Sequence, residues 1–413
     1  MIPVLRRALD RFSGRSIQLG QVRWVEHQLE WLAFRNGQVT VCNRTLSRGL
    51  GVRVLAGGWG YAGSSDLEHP EAIVDQAIAL AQAAAPHAYK EIGIGVAPPA
   101  VGHWESPCEI DPFSVPMDEK LDWLRSATAA MGGVTVASAC TMSLKRVTHF
   151  VSTEGSDWSQ EQVVTGVSIG ATAVQGEKVQ IRTWPKAEDG NVGGRGWEYV
   201  LGHDIQGQAP ILVEEANALL SAPKIPAGEH DIILDGAQLS LQIHESCGHP
   251  VEGDRVLGEE MSLAGGSFLQ PTQVGERYGS ELVNLYAEAT TTGAAGSFGW
   301  DDEGSPAARV PLVEKGIFKG WLTGRESAAR LGSAPAAAMR ASSWTGVPIV
   351  RMVNVNLAPG TAGDLDALIA ATERGYLLSR NRAWSIDQLR LNFQFGCEAA
   401  YEIVDGELRG LCR

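Results

Sequence analysis

A series of period-two runs cut by glycine most narrows the folds open to this chain. Residues 21–28 (QVRWVEHQ), 29–35 (LEWLAFR), 39–45 (VTVCNRT) and 51–57 (GVRVLAG) alternate between apolar and polar side chains. That is the pattern of strands with one buried face. Asn36-Gly37 separates the second run from the third, and Asn-Gly is the strongest short hairpin signal. A second turn falls at Gly57-Gly58, and the chain carries 48 glycines without a collagen-like repeat. The pattern predicts an antiparallel meander, with helices over residues 2–13 and from Pro70 to about Ala85.

The theme then repeats. Proline and glycine cluster between residues 86 and 116 and mark a connector, followed by a helix from Asp118 to Met131. Alternating runs resume at 134–142, 144–152, 159–174 and 178–184, and the glycine-rich segment 190–196 reads as a mobile loop. Pro210 to Leu220 reads as a helix. The Ser221-Ala222-Pro223 and Pro226-Ala227-Gly228 stretches place a boundary between an N-terminal domain, 1–222, and a C-terminal β-rich domain, 226–413. Later strands are expected at 230–235, 349–357, 389–395 and 399–404. The expected class is α+β, predominantly antiparallel, with packed helices in two large domains.

A formal charge of −14 argues against direct nucleic-acid binding, which calls for a basic footprint. The six cysteines form no CxxC pair, as expected of a reducing cytoplasm. Arg6, Arg7, Asp10 and Arg11 interrupt the apolar residues of the opening, so no signal peptide is expected, and no apolar run reaches membrane-spanning length.

The segment that carries chemistry is IILDGAQLSLQIHESCGHPVEGD, residues 232–254. Asp235 stands as an N-cap, with Gln238 three residues on as its capping-box partner. The helix that follows bears His244, Glu245 and His249. In HExxH zinc peptidases the histidines are four apart and lie within about 40° on a helix. Here they are five apart, which a regular α-helix would spread by roughly 140°. Gly248 tolerates a π-bulge, and Pro250 disfavours αR geometry at His249, so the helix end has the means to bring the rings together. Glu245 is then placed as a proton carrier for water. From spacing alone, a helix end with two solvated histidines fits equally well. Glu252 and Asp254 are candidates for orienting a histidine, or plain solvated acids.

HESCGHPVEGDRV, with PAGEHDIILD upstream, VPIVRMVNVNLAPG downstream and the NGQVTVCNRTLSRGLGVRVL meander, resembles the TldD/PmbA family of metallopeptidases, also called modulators of DNA gyrase. The likeness is to the TldD side, because PmbA (TldE) partners lack the histidine-glutamate motif. The resemblance implies Zn²⁺ bound by His244 and His249, with Glu245 as catalytic acid/base. It further implies a flexible or unfolded peptide substrate and a homodimer or a heterodimer with a PmbA-like subunit. The family's third ligand is a cysteine in a C-terminal Cys-Gly segment, whereas this sequence ends at Leu411-Cys412-Arg413. The expectation is therefore a chain lacking its C-terminal end and binding zinc weakly, with Cys247, Cys397 and Cys412 as possible substitutes. The rival expectation is a non-catalytic binding or scaffold subunit with an incomplete metal site. Two other matches carry no chemistry. The G-x-S-x-G at 166–170 lies inside an alternating run, and the glycine-rich 293–299 lacks a phosphate-loop setting.

Overall fold

The computed structural model describes residues 3–88, 92–185, 191–262 and 264–413. The expected meander is one large sheet. Its strands are β1 (Leu19–Arg35), β2 (Gln38–Leu55), β3 (Trp59–Ser64), β4 (Val101–Glu105), β5 (Val136–Ser152), β6 (Asp157–Gln175), β7 (Lys178–Trp184) and β8 (Asn191–Gly193). The order is β3-β2-β1-β5-β6-β4, with β7 and β8 also paired to β6, and every pairing is antiparallel except β4 with β6. The runs read separately at 21–28 and 29–35 fuse into β1, and those at 134–142 and 144–152 fuse into β5. A tight turn is needed only where the chain reverses, and Asn36 (φ 50°) with Gly37 (φ 76°) supplies the first.

Two expectations for this half are corrected. The 86–116 connector contains β4, which lies parallel to β6 from Val101↔Asp157 to Glu105↔Glu161. Residues 191–193 are not a mobile loop but pair with 165–167 as β8, while Gly190 lies outside the described residues. Helices cover one face of the sheet. α1 (Pro3–Asp10) and α2 (Pro70–Ala84) bury Leu5, Ala8, Val74, Ala77 and Ala81 against Val22, Leu50, Val52 and Val54. α3 (Met117–Ala129), α4 (Trp197–Leu201) and α5 (Ile205–Leu219) cover Leu32, Phe34, Ala139, Val167 and Ile169.

The second half is built differently, from short strands. β9 (Asp231–Leu234) precedes α6 (Gly236–Ile243). β10 (Leu285–Glu288), β11 (Arg309–Glu314), β12 (Ile317–Phe318) and β15 (Val355–Leu357) form one sheet, and β13 (Met339–Arg340) pairs with β14 (Ile349–Val350). β16 (Arg374–Ile386), β17 (Phe393–Val404) and β18 (Glu407–Cys412) complete a sheet in which β9 runs parallel to β16. The single strand expected at 349–357 is broken in two. At 389–395 only residues from Phe393 onward are strand, and 387–392 is the hairpin tip.

Buried charge joins the halves. Asp302 accepts two hydrogen bonds from Arg146 at 2.9 Å and pairs with Arg23 at 3.0 Å, while Arg53 pairs with Glu303. Arg325 grips Glu154 at 2.6 and 2.8 Å. Elsewhere on the interface Glu398 accepts from the Thr183 hydroxyl at 2.6 Å and from Arg182 at 3.2 Å. Among the described residues no helix is long and apolar enough to cross a membrane. The class is α+β with mostly antiparallel sheets, as the alternation requires.

Candidate metal centre

Asp235 caps α6 as expected, its carboxylate accepting from the Gln238 amide at 2.7 Å. The reciprocal half of the capping box is missing, because the Gln238 Oε1 is buried without a partner. The helix does not continue regularly into the motif. His244–Gly248 is one π-helical turn, closed by the His249 amide donating to the His244 carbonyl. An i→i+5 bond widens the turn until residues five apart lie over one another. The two imidazoles consequently stand with centroids 4.7 Å apart and planes at 86°. Gly248 lets Met352 pack directly on the turn: a Cβ there would sit 1.9 Å from the Met352 Sδ and force that side chain to move. Pro250 acts otherwise than expected. His249 keeps αR angles (φ −60°, ψ −39°), and the proline sits in the first turn of a 3₁₀ segment, where no amide donor is needed. The π turn alone brings the rings together.

His249 is buried, and its Nδ1 donates to Glu252 Oε2 at 2.8 Å, which turns Nε2 towards the site. Glu252 is buried as well, and burial alone would raise its pKa. The His249 and Arg255 contacts outweigh that and hold it below the ordinary carboxylate range, so it accepts as an anion. Its other oxygen accepts from the Met352 amide at 3.0 Å. Glu252 thus orients the histidine. Asp254 does not; its carboxylate accepts from the Arg255 amide, and burial followed by the charge of Glu252 pushes it up to about 7.

Glu245 Oε2 lies 4.0 Å from His249 Nε2 and accepts from Arg390 Nη1 at 2.9 Å. Arg390 comes from the β16–β17 hairpin tip, and its Nη2 donates to the Ala264 carbonyl at 2.7 Å, an oxygen that Arg255 also grips. His249, Glu252, Arg255, the Ala264 carbonyl, Arg390 and Glu245 therefore form a circuit of polar contacts, whose ends, Glu245 Oε2 and His249 Nε2, approach to 4.0 Å. Sequence reasoning missed Arg255 and Arg390. Asp387 and Asn392, typical turn residues, bracket the tip and were the available signal.

Ligand atoms of His244, Glu245 and His249 all lie within 4.8 Å of one another, and this is the one such group among the described residues. Two neutral imidazoles beside a carboxylate suit a borderline-soft divalent cation such as zinc. None of the three cysteines joins them. Cys247 packs against the second-half core, Cys397 lies opposite Asn381 in the sheet, and Cys412 is buried opposite Ala400. Burial pushes the Cys247 and Cys397 thiols up from the ordinary cysteine value. Ser168 lies within β6, far from any strand-to-helix elbow.

Comparison with known proteins identifies the family of the chain. Residues 227–413 match the PmbA/TldA metallopeptidase C-terminal domain, and residues 20–81 match PmbA/TldA metallopeptidase domain 1. A metalloprotease of Methanothermobacter thermautotrophicus is 28% identical over 396 residues, covering 95% of this chain and 83% of its own. A zinc metalloprotease TldD homolog of Saccharolobus solfataricus is 30% identical over 190 residues, covering 46% of this chain and 40% of its own. The crystal structure of TldE from Thermococcus kodakarensis superposes with a TM-score of 0.75 at 18% identity, over 99% of this chain and 90% of that one. With both of its ends matched by domains of one family and relatives aligned along nearly its whole length, the chain belongs to the TldD/PmbA metallopeptidase family.

Proposed function

We propose that the chain is a zinc-dependent peptidase of the TldD type, hydrolysing amide bonds in flexible or unfolded peptides. The observation that carries this is the π turn that gathers His244, Glu245 and His249. His244 and His249 would hold the ion through ring nitrogens, with Glu252 fixing the tautomer of His249. Zinc, when bound, supplies Lewis acidity that polarises a scissile carbonyl and brings the pKa of a water to about 7. Glu245 has Oε2 engaged by Arg390 at 2.9 Å, which leaves Oε1 as the carboxylate's second acceptor. Oε1 is the atom that accepts a proton from the attacking water and later delivers it to the leaving amine nitrogen.

The same proposal includes a cytoplasmic setting and a functional unit of two chains, either a homodimer or a pair with a PmbA-like subunit. The likeness to a TldE structure supports the second arrangement. It also includes the division into 1–222 and 226–413, since residues 222–226 carry no helix or strand and, among the described residues, no sheet draws strands from both sides.

The test is metal content and cleavage of an unstructured fluorogenic peptide, measured on the same preparations. His244→Ala and His249→Ala should each lose the metal. Glu245→Gln should keep it while cleavage falls at least ~100-fold. Metal retained by both histidine variants, or cleavage undiminished in Glu245→Gln, would overturn the proposal.

A further inference from the structure

By distance alone, Glu245 is as eligible to bind an ion as the two histidines, since all three offer atoms within 4.8 Å. A carboxylate cannot serve both as ligand and as proton carrier through the same lone pairs, so something must decide between the roles. The β16–β17 tip has the required features. Arg390 Nη1 donates to Glu245 Oε2, the oxygen that lies 4.0 Å from His249 Nε2. Its Nη2 is fixed on the Ala264 carbonyl, so the guanidinium cannot follow the carboxylate if it swings.

The tip itself is tied down by hydrogen bonds. Asp387 accepts from the Leu391 amide at 2.9 Å and from the Asn392 side chain at 2.7 Å, and the Gly266 amide donates to the Gln388 carbonyl at 2.8 Å. Arg390 adopts φ +65° where a glycine would sit without strain, and its Nε is buried without a partner. A turn needed only for reversal would carry Asn-Gly, as at residues 36–37. This turn accepts an unfavourable backbone and an unmet donor in order to present a charge.

We propose that Arg390 is the positioning residue that holds Glu245 as a proton carrier and keeps it from becoming a third protein ligand of the metal. The proposal rests on the metallopeptidase assignment of the site. It predicts an uncommon pairing of effects: removing Arg390 strengthens metal binding and slows catalysis. The experiment uses the full chain loaded with Co²⁺, whose absorption bands report the ligand set. Uptake by the parent is measured first, and a parent that takes up no cobalt overturns the metal assignment and this proposal together.

With a loaded parent, Arg390→Ala should shift the cobalt bands, raise Co²⁺ affinity ~10-fold, and lower kcat ~100-fold with KM within about 3-fold. The Arg390→Ala, Glu245→Gln double variant should match Glu245→Gln in both bands and affinity. Arg390→Lys should restore the parent bands and recover part of kcat. If Arg390→Ala fails to fold, Arg390→Gln, which keeps the β, γ and δ carbons and a neutral polar head, reads the same bands. Unshifted bands in the folded neutral variant overturn the proposal while leaving the peptidase assignment standing. Raised affinity that persists in the double variant does so too, because it marks a bare charge effect.

Discussion

Two hairpins of this protein reverse the chain by different means. β1 and β2 turn at Asn36-Gly37, with both residues at positive φ and the Asn36 side chain tied to the Ala137 amide at 2.8 Å. β16 and β17 turn through Asp387–Asn392 without glycine, and the positive φ falls on an arginine whose guanidinium reaches Glu245. The first turn uses the residues that make reversal easiest and touches nothing chemical. The second takes on strain to place a cation. Residue choice at a turn therefore separates a turn that serves the sheet from one that serves the site.

Removing the far side of the polar circuit is expected to have the largest effect. Glu252→Ala leaves Arg255 buried and unpaired and His249 unanchored, so a loss of about 3–5 kcal/mol and a 10- to 100-fold weaker metal affinity are expected. Urea unfolding and metal titration check both, and normal stability would show that the second hairpin stands without the circuit behind it.

Next comes an exchange of one turn's logic for the other's. Arg390→Gly relieves the positive φ but releases Glu245, so kcat should fall on the order of 100-fold while unfolding free energy stays within about 1 kcal/mol of the parent. A matching loss of stability would make the arginine a structural residue and erase the contrast.

Acid tests how the half bearing the first hairpin is joined to the other. Burial would raise the Asp302 pKa, but Arg146 and Arg23 outweigh it and hold it at about 2. A folded pKa below the unfolded one gives stability that is full above the ordinary carboxylate value and lost as pH falls from about 4 to 2, on the order of 2 kcal/mol. Asp301 has the opposite sign: burial and then Glu303 push it up to about 8, so its contribution changes above pH 4 and leaves the acid window clear. Urea midpoints for the parent and Asp302→Asn at pH 5 and pH 3 check this, and the variant should lack the difference attributed to Asp302.

The smallest effect belongs to the first tip. Gly37→Ala forces a side chain into φ 76° and should cost about 1 kcal/mol. Peptide cleavage and metal content should not move. A change in either would mean that the first hairpin also communicates with the site.

Local patterning was enough for much of this. Alternation and Asn36-Gly37 announced the meander because side-chain direction and turn geometry are decided within a few residues. The run lengths were underestimated because β1 and β5 stay in register past residues that look like breaks. β4 was hidden by the prolines and glycines around it, and its partner β6 starts more than fifty residues later. The strand expected at 389–395 concealed the tip, since its apolar alternation outweighed Asp387 and Asn392.

By itself the sequence determined the α+β class, the first hairpin and the identity of His244, Glu245 and His249 as a potential metal-binding set, because spacing and residue chemistry are local properties. Only the tertiary structure decided how that set is aimed. Met352 packs on Gly248 where a Cβ would displace it, and Glu252 orients His249 through Nδ1. Arg390, 145 residues beyond Glu245, arrives on the β16–β17 hairpin, whose sheet also holds β9, to place its guanidinium on that carboxylate. Contacts across such separations depend on where whole elements pack, and no local pattern in the chain encodes them.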